Sequence, residues 1–479
     1  MPGAKGYPIV GHALQLLQPE VVMGRLMDWR GTHGSRLKVI LGYTAYNLFL
    51  TDPKDIEKVV NSHELLNKGS NYDFVRPWLG YGLLTQGGEK WYKRRRMLTP
   101  AFHFSILETF QHVFNEQSAV LVKIMREKLE DKENIEMNSL FSLCALDIIS
   151  ETAMGRKLNC QRESTPYVEA VLRQSQFIYK RWMSPWLQND FIWSISPAGR
   201  EDKANLKTLH DFTENVILER KERYALAKEE KSVVIQPDEN HITESVYFSK
   251  KERFAFLDLL LSIQDSSEDQ LTDADIREET DTFMFEGHDT AAAGLLWSFY
   301  LLVKNPEHQA LVHSELDGIF GDDTHRSITS NDLTKMKYLE LCIKESLRLY
   351  PSVAFMSRKV KREFRLDSET LVPPGVDVAM CPYLTHRDPN IYPEPEKFLP
   401  TRHTPENSAG RHPYAYIPFS AGLRNCIGQR FVQAEMKTVL ANIFRHFQVQ
   451  LADPNETVVP LPEIVMRPNE DIRVALKLR

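Results

Sequence analysis

Phe419-Ser420-Ala421-Gly422-Leu423-Arg424-Asn425-Cys426-Ile427-Gly428 stands directly before a helical pattern running from Gln429 to Phe447. A cysteine in the turn ahead of a helix meets unpaired backbone N–H groups and the positive end of the helix dipole. Both favour the thiolate. Gly422 and Gly428 permit a tight loop and close approach of a flat cofactor. Arg424, two residues before the cysteine, is placed to reach a carboxylate on such a group. A bare Cys-x-Gly usually means only a buried thiol in a turn. Phe419, Gly422, Arg424, Cys426 and Gly428 together at this spacing make that plain reading the weaker one.

The other four cysteines, Cys144, Cys160, Cys342 and Cys381, show no C-x-x-C spacing, which argues against a disulfide framework or a zinc cluster. A zinc site built on Cys426 and nearby His412 lacks ligands. The 479 residues are 42% hydrophobic, enough for a large core. A net charge of -6, from 59 basic and 65 acidic residues, does not suggest a nucleic-acid binder. No composition shift divides the chain, so a single domain over 1–479 is expected, with residues 1–12 as a Pro/Gly-rich lead-in. The longest apolar run, Ala291 to Val303, falls short of the roughly 20 residues that a membrane helix needs. The expectation is either a soluble protein or one whose N-terminal membrane anchor is missing from these 479 residues.

Helical periodicity predicts helices over Phe110–Asp131, Leu206–Lys231 and Asp273–Val303. The last is apolar nearly all round in its second half, as in a helix buried on every side. Strand patterns occur at Leu37–Leu50 and around Val360–Met380, and Glu229–Lys251 reads as a mobile surface connection. The expected architecture is mainly α with a smaller β-rich part.

Within the apolar helix, Glu286-Gly287-His288-Asp289-Thr290 gathers an acid, a second acid and a hydroxyl on about one turn. Thr290 can bond back to the Glu286 carbonyl and distort the helix, with Gly287 easing the distortion. Acids bracketed by Phe283, Met284, Phe285 and Ala291 to Trp297 are costly to bury unless solvated or used. Thr290 and Asp289 are the expected catalytic proton relay; His288 reads as a packed or surface histidine. Glu345 and Arg348, three apart among Leu341, Cys342, Ile343 and Leu347, read as a buried ion pair needing a further partner.

The cysteine loop resembles the F-x-x-G-x-R-x-C-x-G signature of the cytochrome P-450 superfamily. Glu345 and Arg348 resemble its E-x-x-R element, with Arg402 as the third, structural member and His403 where Phe is usual. Trp91 and Arg95 look like its W-x-x-x-R helix, and Glu279 to Thr290 looks like the long signature of family 4. Thr280 stands where that signature has Val, and Ala291 where it has a second Thr. The resemblance implies a haem between the long central helix and the cysteine loop, with Cys426 as axial ligand to the iron. Phe419, Gly422, Gly428, Trp91, Arg95 and Arg424 would hold heme b, the last three at its propionates. Glu286 would form an ester with a haem methyl group. It also implies a haem-dependent monooxygenase drawing electrons from NADPH through NADPH-cytochrome P-450 reductase, and from cytochrome b5. Lipophilic substrates, probed at an endoplasmic reticulum membrane from its cytosolic face, would undergo omega-hydroxylation, as fatty acids or terpenoids such as juvenile hormone. Alternatives are a xenobiotic- or insecticide-oxidising monooxygenase and a haem-thiolate isomerase or dehydratase that does not use O2.

The resemblance also implies that Phe285, Ala291, Val353, Ala354, Phe355 and Ile464 line the substrate passage. The aromatic stretch Phe177 to Trp186, with Phe191, Ile192 and Trp193, is expected to be packed interior, a channel lip or a surface that dips into lipid. Lys93, Arg94 and Arg96 are candidates for a docking patch for the electron donor.

Overall fold

An apolar segment without a polar face has nowhere to go but the middle of the molecule. That is where the chain puts residues 291–303, all buried. The computed structural model describes residues 3–42, 45–131, 134–163, 165–234, 256–265, 271–323, 325–455 and 457–479. The helices that position the site are α1 (Gly88–Leu98), α2 (Phe104–Glu130), α3 (Met137–Thr152), α4 (Pro166–Met183), α5 (Pro197–Val234), α6 (Asp273–Lys304), α7 (Lys337–Leu349) and α8 (Gln429–His446). The central helix α6 opens on a capping box, in which Thr272 and Asp275 satisfy each other's backbone N–H. It ends before Pro306, which disfavours helical backbone at Asn305.

The periodic segments fall inside these helices, with ends shifted by a few residues. The segment Phe110–Asp131 lies in α2, and Leu206–Lys231 in the later part of α5. Of the expected connection at Glu229–Lys251, residues 229–234 continue α5 and the rest lies outside the described residues. The segment Leu37–Leu50 is a hairpin of β1 (Arg36–Leu41) and β2 (Ala45–Leu50), with Arg36 opposite Leu50. The strand patterns around Val360–Met380 are several short strands. That region holds β3 (Met356–Lys359), then short pairings, a turn at Pro373-Pro374-Gly375 and β4 (Asp377–Met380). The sheet order is β1-β2-β4-β3, with β2 and β4 parallel and the other pairs antiparallel.

The molecule is thus mainly α with a smaller β part. The large core lies among α2, α3, α6 and α8, where Phe299 meets Phe141 at 5.4 Å and Phe444 at 5.9 Å. A separate core of Leu48, Leu50, Ile56, Val378 and Met380 holds the sheet. Among the described residues, no helix is long and apolar enough to cross a membrane.

Candidate active site

Between α6 and the loop before α8 lies a cavity of about 1900 Å³, counting the space that opens to solvent. Cys426 is exposed, but to this cavity, whose wall it forms. Its own N–H donates to the Phe419 carbonyl at 2.9 Å, closing the loop. Burial, then the charge of Glu286, push the thiol up to about 11. The Gly428 N–H bonded to the sulfur and the nearby Arg95 oppose them. The backbone N–H and the guanidinium favour the sulfur anion, as the loop's place ahead of α8 predicts.

The glycines do other work than expected. Gly422 has φ +66°, and a Cβ there would lie 2.1 Å from the Val60 carbonyl oxygen, so it lets the loop touch the helix at Pro53–Val60. Gly287 lines the cavity, yet a Cβ on it would meet the Ile149 side chain at 2.5 Å; it brings α3 against α6. The helix runs unbroken through it, although Thr290 does donate to the Glu286 carbonyl at 2.8 Å.

Glu286 and Thr290 both line the cavity. The Asp289 carboxylate instead pairs with Arg467, and Asp289 does not line the cavity. It stands next to Thr290 in sequence, but its carboxylate turns away from the cavity that Thr290 lines. His288 is packed, its ring 5.7 Å from that of Tyr167.

Arg424 donates to the carbonyls of Leu66, Leu83, Leu84 and Gln86 and lies over the Trp91 ring at 4.6 Å. It ties the cysteine loop to the chain ahead of α1. Arg95 holds Asn425 through its carbonyl at 2.9 Å and its side chain at 2.8 Å. Arg94 leaves the expected docking patch, because it pairs with Asp275 at 2.8 Å and Glu279 at 3.0 Å; Lys93 and Arg96 stay exposed. Glu279 also accepts from the Leu83 N–H, and burial pushes its pKa up to about 7.

Two cations escaped the sequence reading. Lys68 and Arg358 line the cavity with Arg95 and Arg424, and burial lowers the pKa of all four. The charge of Glu286 reaches Lys68 and Arg424. Nothing local in the sequence marks Lys68 or Arg358, since β3 and a distant turn meet only in the fold. Converging buried cations beside a cavity-facing thiol fit a flat group that carries carboxylates and a thiol-binding metal.

Glu345 and Arg348 form the expected pair, at 2.8 and 2.9 Å, fully buried. Arg348 also donates to the carbonyls of His386 and Lys397. Arg402 lies 3.3 Å from Glu345, and His403 supplies a further partner at 3.0 Å. Of the expected passage lining, Phe285, Val353, Phe355 and Ile464 face the cavity, whereas Ala291 and Ala354 do not. Ile178, Tyr179 and Trp182 of the aromatic stretch also line it.

The family model for cytochrome P-450 matches residues 1–475. The chain belongs to the cytochrome P-450 family and is a haem-dependent monooxygenase. Cytochrome P-450 4c3 of Drosophila melanogaster is 41% identical over 488 residues, covering 100% of this chain and 89% of that protein. Cytochrome P-450 4V2 of Mus musculus is 44% identical over 483 residues, covering 99% and 89%. Cytochrome P-450 4d2 of Drosophila melanogaster is 38% identical over 487 residues, covering 100% and 94%. All three names place these relatives in family 4.

Proposed function

We propose that this enzyme hydroxylates the terminal carbon of fatty acids or related terpenoids, at the cytosolic face of the endoplasmic reticulum. NADPH supplies the electrons through NADPH-cytochrome P-450 reductase, with cytochrome b5 as a second donor. The observation that carries the reading is the apolar wall above Cys426, formed by Phe285, Ile178, Tyr179, Trp182, Phe355 and Ile464. A terminal methyl is a less reactive site than the internal carbons of the same chain. The protein must select it by position, and rigid aromatic walls restrict which carbon arrives. Heme b, held by Cys426 and by Arg95, Arg358, Arg424 and Lys68, supplies O–O cleavage and oxygen insertion when bound.

The residues of the chain have separate duties. The Gly428 N–H and Arg95 favour the Cys426 anion against burial and Glu286, which push the thiol up, and bound iron would hold it as the thiolate. Thr290 presents a hydroxyl at the cavity wall, and Asp289 behind it passes protons inward. Glu286 faces the same cavity and would hold heme b covalently, as an ester with a methyl carbon. The membrane reading rests on exposed apolar side chains near the cavity's aromatic lining: Trp186, Phe191, Ile192 and Ile195, with Ile9 and Leu14 of the lead-in region. Tyr179 joins the two segments by donating to the Leu16 carbonyl at 3.2 Å.

Product analysis with lauric acid and farnesol, NADPH and reductase tests the assignment. The expected product of lauric acid is the terminal alcohol. Internal alcohols alone would overturn the regiochemistry, and turnover without NADPH would favour the isomerase alternative.

A further inference from the structure

On the side of α6 that packs against α4 and α5, buried polar atoms stand without partners. Tyr167 Oη, Asp281 Oδ2 and Asp289 Oδ2 have no hydrogen-bond partner among the described residues, and none of these residues is more than 1% exposed. Buried polar groups are almost always satisfied, by protein or by ordered water. Tyr167 is within reach of both acids: the charges of Asp281 and Asp289 act on its hydroxyl, and its ring packs on Phe212 and on His288, which directly precedes Asp289 on α6. The acids are eight residues apart on one helix, about 12 Å along its axis. One tyrosine hydroxyl and a few waters span that distance.

The two ends of this seam differ. At the outer end, Asp281 accepts from Thr213 at 2.6 Å and lies 3.9 Å from His210 and 4.0 Å from Arg277. Those two side chains are 22% and 31% exposed, so the outer end touches solvent. At the inner end, Asp289 is held by Arg467, and the next residue, Thr290, faces the cavity.

We propose that protons consumed at the active site enter along this seam, from solvent at His210 through Asp281 and Tyr167 to Asp289, by way of ordered waters. The proposal rests on the reading that Asp289 and Thr290 deliver protons. Burial pushes Asp281 up to about 8, against Thr213 and Arg277 and with Glu214 and Glu278, so it can hold and release a proton near neutrality. Each turnover takes up O2, two electrons from the reductase and two protons, and yields one hydroxylated product and one water. The seam moves only the protons.

The test compares D281N, Y167F and D289N in haem-loaded enzyme supplied with reductase, NADPH and lauric acid. Peroxide released per NADPH consumed and the solvent deuterium isotope effect are read together with the CO difference spectrum. The expected result is a several-fold rise in peroxide and a larger isotope effect in all three, with the CO band intact. Should D281N fail to bind haem, Y167F, which removes one hydroxyl, decides alone. Uncoupling in D289N with parental D281N and Y167F would overturn the seam and keep the relay. Parental coupling in D289N as well would overturn both. A lower melting temperature without a changed isotope effect in D281N and Y167F would leave those residues structural and overturn the seam.

Discussion

Single residues decide whether the cysteine loop can form at all. Gly422→Ala places a Cβ against the Val60 carbonyl at a backbone angle that other residues rarely adopt. Strain of this kind costs about 1–3 kcal/mol before the clash is counted. Haem-loaded yield and melting temperature should both fall. Thr290→Ala removes the hydroxyl bonded to the Glu286 carbonyl. Product per NADPH should drop and peroxide rise, while substrate affinity holds. Glu286→Gln should leave all haem extractable by acidic solvent after turnover, where the parent retains a bound fraction. The sequence read Gly422 as permitting a tight loop, which its φ of +66° bears out, and Gly287 as easing a distortion of an unbroken helix; the contacts of Gly422 with Val60 and of Gly287 with Ile149 went unread. A missing Cβ is visible in one dimension; the atom that excludes it is visible only in three.

At the scale of elements, α7 is fixed at both ends by charge. Near its C-terminus, removing Glu345 would strand the buried Arg348, and loss of one partner of a buried pair costs about 3–5 kcal/mol. Glu345→Ala should therefore fail to give stable holoprotein. His403→Phe, which restores the usual family residue, removes one bond of 3.0 Å but leaves Glu345 with Arg348 and the Leu399 N–H. It should lower stability by about 1 kcal/mol, read as a melting shift. Toward the other end, Glu340 bonds Lys344 within α7 and Lys437 on α8. Burial raises its pKa, but the two ammonium groups outweigh it and bring it to about 2. A carboxylate depressed from an unfolded value near 4.3 stabilises fully above that value and loses its effect as pH falls toward 2. Stability of the parent should decline more steeply than that of Glu340→Gln between about pH 5 and pH 2, by under about 1 kcal/mol after solvent screening. Helix positions were legible because a periodic apolar stripe is a local signal. The partners of the short strands in the Val360–Met380 region were not, since β4 pairs with β2, far away in the chain.

Over the whole molecule, the exposed apolar side chains at Trp186, Phe191, Ile192 and Ile195 would meet a lipid surface on the proposed membrane reading. Phe191→Ser with Ile192→Ser should reduce co-sedimentation with phospholipid vesicles and leave the haem spectrum unaltered. An unchanged vesicle-bound fraction would put the contact elsewhere. The overall plan, a helical body around α6 with a sheet at one side, followed from composition and periodicity. The cysteine loop pointed to the cavity, whose wall it forms, because five spaced residues carry more information than any one. Lys68 and Arg358 were hidden, as was the turn of Asp289 toward Arg467, because side-chain partners across the fold leave no mark on local spacing. Everything at the site depends on a sulfur anion at residue 426 binding iron. The most direct test is the CO difference spectrum of reduced, haem-loaded protein, parent against Cys426→His. The parent should show the red-shifted band of thiolate-bound haem and the variant should lose it along with turnover; the same band and activity in both would contradict the assignment.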